Sequence, residues 1–203
     1  MIKAIIFDFG NVICRFDNDI YRAKIAEITG KKIEDIKDSI FRNSDILYKF
    51  ETGLISNQDF FKELSKICGL NIPYDQLKEI YSKDKFTHIE GMTDLIKKLQ
   101  KKYKIGLLSN TSSWDYDYIL KEAPIIKTFD TITTSFGVKA MKPSPKIFED
   151  ALNKLKLKAE ECVYTDDILE YIEAAEKLGI KAVHFTTTEN FKSDLKNLGV
   201  EIE

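Results

Sequence analysis

Five short runs of apolar and β-branched residues punctuate the chain, at residues 2–7, 105–108, 131–134, 162–165 and 181–185. Most are near-continuously apolar and do not alternate, which is the pattern of strands buried on both faces. Segments of helical period lie between them. Residues 92–102 put Leu95, Ile96 and Leu99 on one side, and residues 145–155 do the same with Ile147, Phe148, Ala151, Leu152 and Leu155. Residues 169–178 form a third such segment, closed by Gly179 at a C-cap position. Strands alternating with helices predict right-handed βαβ crossovers. The expected class is therefore α/β: a three-layer α/β/α, Rossmann-like parallel sheet.

The interval between the first two runs breaks this rhythm. Residues 17–88 carry no convincing strand and read as three or four helices. Ser56-Asn57-Gln58-Asp59 opens one of them with a capping-box pattern, Phe60, Phe61, Leu64 and Ile67 follow at helical spacing, and Gly69 ends it. An insert of about 70 residues directly after a first strand is too long for an ordinary loop. It predicts a small α-helical cap (residues 17–88) set into an α/β core made of residues 1–16 and 89–203.

Composition narrows the setting. The 203 residues are 43% hydrophobic, enough for a sizeable core, and the 31 Lys+Arg against 33 Asp+Glu leave a net charge of −2. No basic excess remains to neutralise a nucleic acid or to hold an anionic membrane. Cys14, Cys68 and Cys162 stand apart with no CxxC or Cys/His cluster, which argues against a zinc site or a disulfide framework. The apolar run at residues 4–7 is too short for a signal sequence, and no stretch approaches the ~20 apolar residues of a membrane span. A cytoplasmic protein is expected.

Ligands of open parallel sheets gather at the carboxyl ends of the strands. The first run ends Phe7-Asp8, the second Leu108-Ser109-Asn110, the fourth Thr165-Asp166-Asp167. Three carboxylates brought to one rim repel one another unless a cation sits between them or one stays protonated. Oxygen ligands and a phosphate suit Mg²⁺. Lys142-Pro143-Ser144-Pro145, just before a helix, offers a positive charge on a loop stiffened by two prolines.

The order Asp8…Ser109-Asn110…Lys142-Pro143…Asp166-Asp167 resembles the four motifs of the haloacid dehalogenase-like (HAD) hydrolase superfamily, and the resemblance covers essentially the whole chain. The stretch from Phe50 through Glu51-Thr52-Gly53-Leu54-Ile55 to Ser56 resembles a segment of that superfamily's small helical cap. The stretch beginning Phe7-Asp8-Phe9-Gly10-Asn11 is similar to a branch that includes sugar-phosphate phosphatases, notably α-D-glucose-1-phosphate phosphatase. The resemblance implies an Mg²⁺-dependent phosphatase acting on a small phosphate ester. Asp8 would be the nucleophile that forms an aspartyl-phosphate. Asp8, the Gly10 carbonyl and Asp167 would hold Mg²⁺, with Asp166 close or ligating. Ser109 and the Asn110 backbone N–H would hold the phosphoryl oxygens, and Lys142 would neutralise charge.

Two positions depart from the pattern. Gly10 stands where most phosphatases of the superfamily carry a second Asp, which protonates the leaving oxygen, and losing a general acid costs about 10²–10⁴ in rate. The expected consequence is a preference for anomeric or otherwise activated phosphates. Tyr171 replaces an Asn or Asp that supports the metal in many relatives. Asn11 has two readings, a substrate contact or a turn residue. So has Trp114, which would stack on a sugar or pack in the core. Arg42 reads as an exposed helix arginine with a substrate contact as the alternative. His88 and His184 fit no nucleophile–base pair. Two other activities compete: a dehalogenase using the same Asp without metal, and a catalytically weak regulatory or binding protein.

Overall fold

The computed structural model describes residues 1–202. The chain opens with β1 (Ala4–Phe7) and the short β2 (Cys14–Phe16). Five helices follow: α1 (Asp19–Thr29), α2 (Ile33–Arg42), α3 (Ser44–Glu51), α4 (Asn57–Cys68) and α5 (Tyr74–Ser82). After β3 (Phe86–His88) come α6 (Met92–Leu99), β4 (Lys104–Ser109), α7 (Ser113–Glu122), β5 (Thr131–Thr134), α8 (Ser135–Val138) and α9 (Pro145–Leu155). The chain ends with β6 (Cys162–Asp166), α10 (Leu169–Lys177), β7 (Lys181–His184) and α11 (Thr188–Asn197).

The main sheet is parallel, in the order β5-β4-β1-β6-β7. Its central strand explains the continuous apolar signal. Side chains alternate faces along a strand, and both faces of β1 are covered. Ile5 and Phe7 join a core with Leu95, Ile96 and Phe191 of the helices on one side. Ala4 and Ile6 join another with Ile147, Phe148 and Ala175 on the other. The expected three-layer α/β/α architecture is the one observed.

The interval between β1 and β4 corrects the sequence reading in two respects. Its residues 17–88 hold five helices where three or four were expected. It also contains a strand, β3, paired antiparallel with β2 in a two-stranded ribbon where none was foreseen. Three residues are too few for either periodicity to register. The ribbon carries the chain out of the sheet after β1 and back before α6. Helix α4 begins as the pattern predicts: the Ser56 hydroxyl accepts the Asp59 N–H, and Gly69 ends the helix in the left-handed region.

Helices α1 to α5 have a core of their own. It includes Tyr21, Ile36, Phe50, Phe60, Leu64 and Tyr81. Phe50 and Phe60 stack with centroids 3.7 Å apart, and both meet the edge of Trp114. Trp114 belongs to α7, so the sheet-side helix drives its one tryptophan into the helical insert, where its indole N–H donates to the Tyr74 hydroxyl at 2.9 Å. It is fully buried. The substrate-stacking reading of Trp114 is therefore corrected to packing. Gly53, at φ +64°, turns the chain against the sheet side so closely that a Cβ there would stand 2.5 Å from the Phe136 carbonyl oxygen.

Because Phe60 is wholly enclosed in this aromatic cluster, Phe60→Ala is expected to cost about 3–5 kcal/mol. Urea denaturation followed by circular dichroism measures it, and a loss well under 1 kcal/mol would show that the cluster does not stabilise the insert.

Candidate active site

In the sheet β1 lies between β4 and β6, with Phe7 level with Leu107 and Thr165. The three polar strand endings therefore open side by side. Asp8, Asp166 and Asp167 bring one carboxylate oxygen each within 4.8 Å of one another. Lys142, from the loop before α9, reaches into this group. Its Nζ donates to Asp8 Oδ1 at 2.7 Å and to Asp166 Oδ2 at 2.6 Å.

Further contacts hold these groups in place. The Asn110 side chain clamps the Lys142 backbone from both sides: its Oδ1 accepts the Lys142 N–H at 2.9 Å and its Nδ2 donates to the Lys142 carbonyl at 3.2 Å. Asp166 accepts a short hydrogen bond from the Tyr164 hydroxyl and another from the Ile168 N–H at 2.9 Å. Asn11, at φ 54°, occupies the left-handed region that Asn tolerates better than most residues, and its Nδ2 donates to Asp167 Oδ2 at 3.0 Å. His184 places a ring nitrogen 2.9 Å from the Asp167 carbonyl oxygen.

The electrostatics are those of a site short of positive charge. Burial pushes the Asp8 carboxyl up to about 7, and the charge of Asp166 adds to this against the opposing pull of Lys142. Burial acts to lower Lys142, but Asp8 and Asp166 outweigh it and hold the ammonium above its usual range. With all three carboxylates ionised, one ammonium leaves two negative charges uncompensated. A small divalent cation with a preference for oxygen ligands fits that donor set. Asp166 already satisfies both its oxygens with protein donors, whereas Asp8 and Asp167 line the open cleft.

The cleft above the acids has a volume of about 280 Å³. Ser109, Asn110, Lys142 and Tyr171 line its sheet side, and Arg22, Glu51, Tyr81 and Lys85 line the side of the helical insert. Tyr171 lies close to the expected site: its hydroxyl accepts from Asn110 Nδ2 at 3.4 Å, and its ring centroid is 5.0 Å from Lys142 Nζ. At Gly10, an added Cβ would stand 2.9 Å from the Phe16 ring and 3.7 Å from Asp8 Oδ2. The aromatic ring of β2 thus occupies the space that a longer side chain at this position would enter.

Of the residues singled out in the sequence, Asp8, Gly10, Asn11, Ser109, Asn110, Lys142 and Asp167 line this cleft. Asp166 stands directly behind it. Trp114 does not line it, and Arg42 is 77% exposed on α2, paired with Asp38. Sequence reasoning missed the wall contributed by the insert. Lys85 is buried there in an ion pair with Asp115 at 2.7 Å, and the Ser82 hydroxyl also donates to Asp115. Glu51 was visible only as part of a cap-like segment.

A family model described as haloacid dehalogenase-like hydrolase matches residues 2–179. The chain belongs to this family. It is a hydrolase, and several of its relatives are named as phosphatases. The D-ribitol-5-phosphate phosphatase of Bacteroides thetaiotaomicron is 26% identical over 202 residues, covering 96% of this chain and 97% of the relative. Phosphatase MT3486 of Mycobacterium tuberculosis is 23% identical, covering 100% and 97%. Among solved structures, a HAD family enzyme from B. thetaiotaomicron in complex with magnesium and inorganic phosphate superimposes with a TM-score of 0.84, at 24% identity, covering 95% of this chain and 98% of that one. The L-2-haloacid dehalogenase of Xanthobacter autotrophicus shares the fold more distantly, with a TM-score of 0.65 at 16% identity over 99% and 85% of the two chains.

Replacing Lys142 by methionine keeps its volume and removes the ammonium that two buried acids share. Lys142→Met is expected to cost about 3–5 kcal/mol at neutral pH without added metal. Chemical denaturation checks it, and an unchanged unfolding midpoint would show that Lys142 does not compensate these acids.

Proposed function

We propose that this chain is a magnesium-dependent phosphatase of small phosphorylated metabolites, acting through an aspartyl-phosphate on Asp8. The observation that carries the reading is the cluster of Asp8, Asp166 and Asp167 around Lys142. In this reading Asp8, Asp167 and the Gly10 carbonyl would hold Mg²⁺, with Asp166 behind them. When bound, the ion supplies positive charge to the phosphoryl group and its neighbours.

The protein's own residues do the remaining work. Lys142 holds the Asp8 carboxylate in one orientation and favours its ionised form for attack on phosphorus. Asp166, which also accepts the Tyr164 hydroxyl, holds Lys142 in turn through its hydrogen bond to the ammonium. Ser109 and the Asn110 backbone N–H would hold the phosphoryl oxygens. Asn11 steadies Asp167. The helical insert, residues 17–88, acts as the cap that closes the cleft over the substrate and excludes water. A cleft of about 280 Å³ supports a small substrate.

The expectation of an anomeric phosphate followed from the missing acid at Gly10. It presupposes a cleft with no other proton donor, and Glu51 is a carboxyl group in this one. The reading supported here is therefore a sugar or polyol phosphate, with no requirement for an anomeric leaving group. Carbon–halogen hydrolysis would need the Asp nucleophile but no cation, and three clustered acids favour the phosphatase over it.

The test is phosphate release from 4-nitrophenyl phosphate, ribitol 5-phosphate and glucose 1-phosphate, with Asp8→Asn as the blank. Wild-type turnover should require Mg²⁺, stop on chelation and fall to background in the variant. Metal-independent turnover, or activity that survives in Asp8→Asn, would defeat the proposal.

A further inference from the structure

The HAD reading leaves one chemical step without an agent. Gly10 carries no proton, and the Phe16 ring fills the space beside it. An alkoxide is a poor leaving group, so an alcohol must be protonated as it departs. The donor has to line the cleft, and four carboxyl groups do: Asp8, Glu51, Asp115 and Asp167.

Three of the four are already engaged. Asp8 is the nucleophile and pairs with Lys142. Asp167 accepts the Asn11 amide, and Asp115 is held by Lys85 and Ser82. Glu51 differs. Among the described residues no donor pairs with its carboxyl group, and the charges that act on it are those of Asp115 and Lys85. Burial pushes it up to about 7, with Asp115 raising it further and Lys85 opposing. The other titratable groups facing this part of the cleft are Tyr21, Tyr81 and Arg22. Tyr81 is held well above its ordinary value by burial, so it is a far weaker acid than Glu51.

The backbone of Glu51 is also tied to the sheet side. It is the last residue of α3, and its carbonyl oxygen lies 2.5 Å from the Ser135 hydroxyl. That same hydroxyl accepts the N–H of Thr111 at 2.9 Å, and Thr111 follows the phosphate-side residues Ser109 and Asn110. Two residues later Gly53 packs so close to the Phe136 carbonyl that a Cβ there would stand 2.5 Å from its oxygen. A cap residue is thereby tied to the sheet rim.

We propose that Glu51 is the general acid of this enzyme, delivering from the cap the proton that Gly10 cannot. The proposal rests on the phosphatase reading of Asp8. As the Asp8 carboxylate forms its bond to phosphorus, the P–O bond to the alcohol breaks and its electron pair stays on the alcohol oxygen. That oxygen takes the Glu51 proton and leaves as the neutral alcohol. Glu51, now a carboxylate, accepts a proton from the water that attacks the aspartyl-phosphate. Inorganic phosphate departs, and both carboxyl groups return to their starting states.

The experiment measures kcat/KM across phosphate esters of rising leaving-group basicity, from 4-nitrophenyl through phenyl to primary alkyl phosphate. It compares wild type, Glu51→Gln and Asp8→Asn as functions of pH. In the wild type, alkyl phosphate turnover should fall as pH rises through about 7, where Glu51 loses its proton. The nitrophenyl ester, whose leaving group needs no proton, should lack that fall. Glu51→Gln should lose about 10²–10⁴ on the alkyl ester, with the loss shrinking steadily as the leaving group becomes less basic. An equal loss on every ester would make Glu51 structural and overturn the proposal, as would wild-type turnover of the alkyl ester by Glu51→Gln. The wild-type pH comparison stands even if the variant folds poorly, and identical profiles for the two esters would overturn the proposal on their own. Absence of Asp8-dependent turnover of even the nitrophenyl ester would remove the phosphatase reading itself, and Glu51's role with it.

Discussion

Three carboxylates and one ammonium compete for the same few ångströms at the end of the central strands, and much of the rest of the structure answers that crowding. Two like charges about 5 Å apart repel by about 3 kcal/mol at an effective dielectric constant near 20. Lys142 relieves part of this by bridging Asp8 and Asp166. The bridge is itself buried, so it must be held without slack. Asn110 does this by binding the Lys142 backbone, and Tyr164 does it through Asp166. The charge that remains uncompensated is the fold's standing invitation to a divalent cation and, with it, to a phosphate.

The sheet order makes this economical. Placing β1 between β4 and β6 brings residues 8, 109 and 166 together at the ends of neighbouring strands without any long loop. The strands are buried on both faces, so the rim they form is stiff. The helical insert adds the variable part. Its core is separate from the cores against the sheet, yet Trp114 and the Glu51–Ser135–Thr111 contacts lock it to the sheet side. A cap so joined carries Glu51 to the cleft on a backbone tied to the sheet side, which suits proton transfer better than a mobile loop would.

Much of this was legible in the sequence, and the reason is physical. Near-continuous apolar runs mark strands covered on both faces, and the polar residues that end three of them mark the rim. Asp8, Ser109 and the pair Asp166-Asp167 could therefore be located before any coordinates, and Lys142 through the order of the motifs that the chain shares with its family. Residues whose role depends on distant partners could not. Glu51 reads as an ordinary helix-terminal acid until α3 is seen to end over the cleft. Trp114 follows Asn110 closely in the chain, but its helix aims it into the insert. The β2–β3 ribbon is too short to leave a periodic trace. Gly10 was recognised as a missing acid, while the Phe16 ring that fills its space lies six residues on and gave no signal.

The central claim is that these acids bind a divalent ion and present Asp8 to a phosphoryl group. The most direct measurement is the melting temperature with Mg²⁺ and beryllofluoride, a mimic of the phosphorylated aspartate, added singly and together. At ligand concentrations about 100-fold above the dissociation constant, the pair should raise it by about 5–10 °C. Either component alone should do much less, and Asp8→Asn should abolish the joint effect. No rise in the wild type, or an equal rise in Asp8→Asn, would contradict the account.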